Sequence, residues 1–134
     1  MAQLGLKDAF ARYGATLRNV QSSVSAWAPD GALVVSVWAH HYRPGPGRTA
    51  EYADTAARWQ GAGNREFREN VAVAFAEKRP LRLVVATTSD PALVQSGVDA
   101  SKATKDFDVR PDLVGEVVEF DGERYVFRFA RITA

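Results

Sequence analysis

The chain has 134 residues, no cysteine and a formal net charge of +1, which excludes a disulfide framework, a thiolate nucleophile and the usual cysteine-based zinc sites. Hydrophobic residues make up 46% and charged residues 25%, ordinary for a globular protein, and no apolar run of about 18 residues marks a membrane span. A near-zero charge supplies no global field toward nucleic acid or a membrane surface.

The length predicts a single α+β domain over residues 1–134. The opening stretch Met1–Asp8 lacks the basic and apolar regions of a secretion signal, so the expectation is a cytoplasmic, bacterial protein. Charge is unevenly spread. The first 48 residues carry five basic groups, Lys7, Arg12, Arg18, Arg43 and Arg48, against Asp8 and Asp30. Thirteen of the 17 basic residues are arginine, the side chain better suited to bidentate phosphate contact and to stacking on rings.

Leu6, Phe10, Tyr13 and Leu17 recur at helical spacing, with Gly14 placed to end that helix. From Asn19 to Ala28, the residues Val20, Ser22, Val24 and Ala26 share one strand face. Pro29-Asp30-Gly31 then turns the chain into the apolar run Ala32–Trp38, predicting a hairpin. Residues 44–63 read as loop, with Tyr52, Ala56 and Trp59 allowing a short helix closed by Gly61-Ala62-Gly63.

Asn64 is a good N-cap for a second helix whose apolar stripe is Phe67, Val71, Ala74 and Phe75, with Lys78 and Arg79 in its last turn before Pro80. Leu81–Thr88 reads as a buried strand. The polar stretch that follows carries turn or cap signals at Ser89-Asp90-Pro91 and Gly97-Val98-Asp99. Leu113–Phe120, Asp121-Gly122 and Arg124–Ile132 make the strongest hairpin signal in the chain. Together these elements predict a mostly antiparallel sheet, or a small partly open barrel, of four to six strands with one or two packed helices.

Catalytic patterns are scarce. On an extended strand His40 and His41 would point to opposite faces and share no ion without a bulge, with Glu51 and Asp54 reaching them only if the intervening loop folds back. No Gly-x-Ser-x-Gly motif accompanies Ser22, Ser23 or Ser25. The run Pro44-Gly45-Pro46-Gly47-Arg48 is no phosphate cradle, because proline lacks the backbone donor such a nest needs. The acidic cluster Asp112, Glu116, Glu119, Asp121 and Glu123 reads as the solvated face and turn of a hairpin. No catalytic residue, metal site or cofactor motif is assigned.

The remaining constellation is aromatic and basic. Trp38, His41, Tyr42, Arg43 and Arg48 lie where a strand becomes a loop, and Trp59, Asn64, Arg65 and Arg68 arrive from the next element. Unpaired bases stack on such rings while arginines hold phosphates, and the start of a helix adds backbone donors for an anion. The set points first to nucleic-acid binding, with unpaired or modified bases as the target. The alternatives are a small-molecule or enzymatic pocket lined by the same rings and histidines, and an interaction subunit that pairs through an exposed hairpin edge, as in a homo-oligomer.

Overall fold

The computed structural model describes residues 5–19, 23–58, 61–88, 91–92 and 105–132. Two helices and eight strands are formed by them, more strands than the sequence predicts. In chain order they are α1 (Leu6–Ala11), β1 (Ser25–Trp27), β2 (Leu33–Trp38), β3 (Tyr42–Pro44), β4 (Ala50–Thr55), α2 (Ala62–Glu77), β5 (Leu81–Thr87), β6 (Asp106–Val109), β7 (Leu113–Phe120) and β8 (Arg124–Arg131). Single 3-10 turns, Ala39–His41 and Ala56–Arg58, join β2 to β3 and β4 to α2. The additions to the predicted set are β3, β4 and β6. In particular, Ala50–Thr55 is a strand where a short helix is predicted; Trp59, the third member of that helical pattern, lies outside the described residues.

Seven strands run in the order β1-β2-β5-β7-β8-β4-β3, with β6 beside β5. Every pair is antiparallel except β2 with β5, where Leu33 lies opposite Leu81 and Trp38 opposite Ala86. The two predicted hairpins form. In the first, the Ala28 N–H donates to the Ala32 carbonyl at 2.8 Å across a turn with Gly31 at φ 90°, although its first strand is only Ser25–Trp27 and Val20 and Ser22 lie outside the described residues. In the second, the Asp121 carboxylate accepts from the Glu123 and Arg124 N–H groups at 2.9 and 2.7 Å, and Gly122 takes φ 101°.

The sheet must curl. Five strand spacings separate β2 from β3 along the path, about 24 Å in a flat sheet at ~4.8 Å each. Only residues 39–41 lie between Trp38 and Tyr42, a reach of about 14 Å at most. Curvature brings the two ends of the path toward each other while the ladder of hydrogen bonds stays open.

Helix α2 packs on one face of this sheet. Phe67, Val71 and Ala74 meet Leu33, Leu83, Phe127 and their neighbours in the larger core cluster. The Phe67 ring sits 5.2 Å from that of Tyr125 and 6.1 Å from that of Phe127. Helix α1 covers the opposite face with Phe10, against Val34, Val84 and Ala26. Thus β2 is buried on both sides, which explains its unbroken apolar run. The predicted stripe of α2 needs one correction, since Phe75 is 42% exposed. Eight residues beyond Phe67, it lies about 80° round the helix from it, on the margin of the stripe.

Candidate functional site

Part of the predicted set gathers at the end of β4, where His41 lies beside Asp54 and Asn64 is bonded to the Ala56 carbonyl. The strand from Val34 to Trp38 ends beside Ala86 of β5, so Trp38 stands, half-buried, near the carboxyl ends of the parallel pair. The 3-10 turn then changes the geometry of the two histidines. Instead of pointing to opposite faces of a strand, their rings lie 4.4 Å apart in an edge-on contact, and the His40 ring lies 5.9 Å from that of Trp38. His40 is exposed. The His41 side chain is only 7% exposed.

The loop does fold back. Its return strand β4 places Asp54 Oδ2 3.5 Å from His41 Nδ1, and the Asp54 side chain is 8% exposed. This is a charge-pairing distance, longer than an ordinary hydrogen bond. Glu51 does not join them, because strand alternation sends it to the opposite face. Among the described residues no three His, Asp or Glu side chains form a metal-binding group.

Two residues beyond Thr55, the chain turns toward α2, whose N-cap is Gly61 at φ 114° rather than Asn64. Asn64 sits inside the first turn and is 6% exposed. Its Nδ2 donates to the Ala56 carbonyl at 2.7 Å and its Oδ1 accepts from Arg68 Nε at 2.8 Å. Both ends of the amide are therefore engaged, Nδ2 tying α2 to the turn after β4 and Oδ1 bonded to Arg68 on the same helix, which removes Asn64 as a reader of base edges. Arg68 also donates to the Gly122 carbonyl at 3.2 Å, tying the helix to the β7–β8 turn. Arg65 is exposed, and the first turn of α2 holds no acidic residue to offset it.

Tyr42 is 51% exposed, with its ring 5.9 Å from that of Tyr52. Arg48 is exposed in the turn between β3 and β4. That turn is ordered by Thr49, whose hydroxyl donates to the Pro46 carbonyl at 2.6 Å. It lies at the far end of β4, about 17 Å of strand from Asp54. Trp59 lies outside the described residues.

Arg43 belongs to a feature that sequence reasoning missed. Glu51 stands in register with Arg43 on β3 and Arg128 on β8, and Arg128 with Glu116 on β7. Charge therefore alternates in sign across four strands on the face turned away from α2. Glu51 Oε1 accepts from Arg43 Nε at 2.9 Å, and its Oε2 accepts from Arg128 Nε at 2.8 Å and Nη2 at 2.7 Å. Glu51 is 5% exposed, a burial a carboxylate tolerates only when fully paired. The hydrogen bonds from Arg128 first, then Arg43, hold its pKa below the usual carboxylate range. A folded-state pKa below the unfolded one gives stability that is complete above the unfolded value and is lost as pH falls through the folded value. Accordingly, Glu51→Gln should lower the thermal midpoint near neutral pH, and the gap from the unsubstituted protein should close in acid. A gap that stays constant across the titration would contradict this.

The C-terminal hairpin is not an edge. β7 pairs with β5 and β8, and β8 with β4. The ends of the strand path are β1 and β3, three residues each, and β3 closes with Pro44. No helix among the described residues is long and apolar enough to cross a membrane. Comparison with known proteins adds no relative, since no family model, curated protein or solved structure matches the chain.

Proposed function

We propose that this protein is a nucleic-acid-binding module that takes an unpaired or modified base onto the rings of Trp38 and His40. Arg65 holds a neighbouring phosphate from the first turn of α2. The observation that carries the reading is that the exposed His40 ring against Trp38 and the start of α2 both adjoin the end of β4, the first through His41 and Asp54 and the second through Asn64 and Ala56, with Arg65 exposed in that first turn. Rings supply stacking to any base, and an arginine beside free backbone donors suits an anion. Because Trp38 is half-buried between strand ends, a base must leave a duplex stack to reach it.

The test is a tryptophan-fluorescence titration with single- and double-stranded oligonucleotides at two salt concentrations. Quenching by the single strand that weakens steeply with salt is expected. Trp38→Ala should weaken binding by the 1–3 kcal/mol typical of one stacked base, about 5- to 150-fold. Arg65→Ala should reduce the salt slope by about one. Folded protein that shows no quenching at low salt would end this reading. The buried His41–Asp54 pair beneath the same rings favours a second reading, a site for a small planar ligand. That reading predicts a thermal shift with mononucleotide-sized compounds and little dependence on salt.

A further inference from the structure

We infer that Asp54 is a positioning residue for the ring stack, acting through His41 on His40 and Trp38 without itself meeting the bound group. What the stack binds rests on the nucleic-acid reading above; how the rings are held does not.

The turn Ala39–His41 is short. It is a single 3-10 turn closed by the bond from the Tyr42 N–H to the Ala39 carbonyl, and such short turns have poor hydrogen-bond geometry. It also joins β2 to β3, which lie far apart along the strand path. A contact from outside the turn therefore adds to its orientation. Asp54 supplies it from β4, at 3.5 Å from His41 Nδ1, with both side chains more than nine-tenths buried. In so enclosed a place a carboxylate and an imidazole stabilise each other's polar atoms.

At 3.5 Å the pair makes no hydrogen bond, but the charge of a carboxylate facing Nδ1 favours the tautomer with the proton on that nitrogen and leaves Nε2 as the acceptor. With the His41 ring held, its edge-on contact at 4.4 Å and 67° fixes the plane of His40, an arrangement that aromatic quadrupoles favour. His40 in turn lies 5.9 Å from Trp38 at 32°. The line of influence runs from a buried acid on one strand to an exposed ring on another segment.

Two measurements test this. Magnetic resonance of isotope-labelled histidine in the unsubstituted protein should show His41 with its proton on Nδ1; a proton on Nε2 alone overturns the inference. Asp54→Ala should mix the tautomers and weaken binding of a single-stranded oligonucleotide about tenfold, the scale of losing one buried charge partner. Asp54→Asn, which keeps an acceptor oxygen, should retain most of both properties. If Asp54→Ala does not fold, the tautomer and Asp54→Asn decide the matter, and an Asp54→Asn protein as impaired in both overturns the inference. Equal binding by a folded Asp54→Ala protein with His41 unchanged also overturns it. A protein that binds no oligonucleotide but shows the expected tautomer, lost in Asp54→Ala, would sink the nucleic-acid reading while leaving the ring positioning in place.

Discussion

Phe67→Ala should destabilise the protein by about 3–5 kcal/mol, the range for removing a large aromatic from a packed core. Phe67 is 1% exposed and lies against Tyr125 and Phe127, so the space it leaves is lined by rings that cannot easily collapse into it. Phe75→Ala on the same helix should cost less than about 1 kcal/mol, as surface changes usually do, because Phe75 is 42% exposed. Urea denaturation of the two variants decides the helix register. Comparable losses would mean that α2 is rotated about its axis relative to the sheet.

Gly115→Ala is expected to be the more disruptive of the small changes, costing roughly 1–3 kcal/mol or more through overpacking. Gly115 lies opposite Phe129 on β8 and opposite Leu81 on β5. A Cβ there would come within 2.4 Å of Phe129 Cδ1 and 2.8 Å of the Arg128 carbonyl oxygen. The ring could turn aside only by leaving the core, and the carbonyl belongs to the β7–β8 ladder and cannot yield without bending it. Denaturation midpoints will show whether the loss is of this size. A neutral Gly115→Ala would mean that β7 and β8 are free to separate there.

The parts of the fold that can be read from sequence are those whose signals are local. Pro29-Asp30-Gly31 and Asp121-Gly122 each announce a turn, and both hairpins form around them. The helical spacing of Phe67, Val71 and Ala74 likewise marks the buried face of α2. β4 escapes because its identity depends on distant partners. Glu51 meets Arg128 across 77 residues of sequence, and nothing near Glu51 reveals that it will be enclosed. β3 and β6 are short and polar, and gain strand character from β4 and β5.

The candidate site divides along the same line. The aromatic and basic residue types between Trp38 and Arg48 are evident in the chain. Their separation onto different faces is set by register, which assigns Arg43 to Glu51 and leaves Tyr42 beside Tyr52. Asn64 shows the hazard of reading residue type alone. A polar side chain just before a helical pattern suggests a cap, yet here it is buried as a clasp between α2 and Ala56. The His41–Asp54 pair depends on a 3-10 turn and a returning strand together.

The strand order also governs how the chain can fold during synthesis. β2 waits for β5, and β4 waits for β8, about 70 residues downstream of it. Until then β4 can pair only with the three residues of β3. A nascent chain stopped before β8 would therefore present an unsatisfied strand rich in backbone donors and acceptors, the kind of edge that recruits other chains. Completion of the sheet is thus a late and cooperative event, and C-terminal truncation should produce aggregation rather than a smaller folded unit.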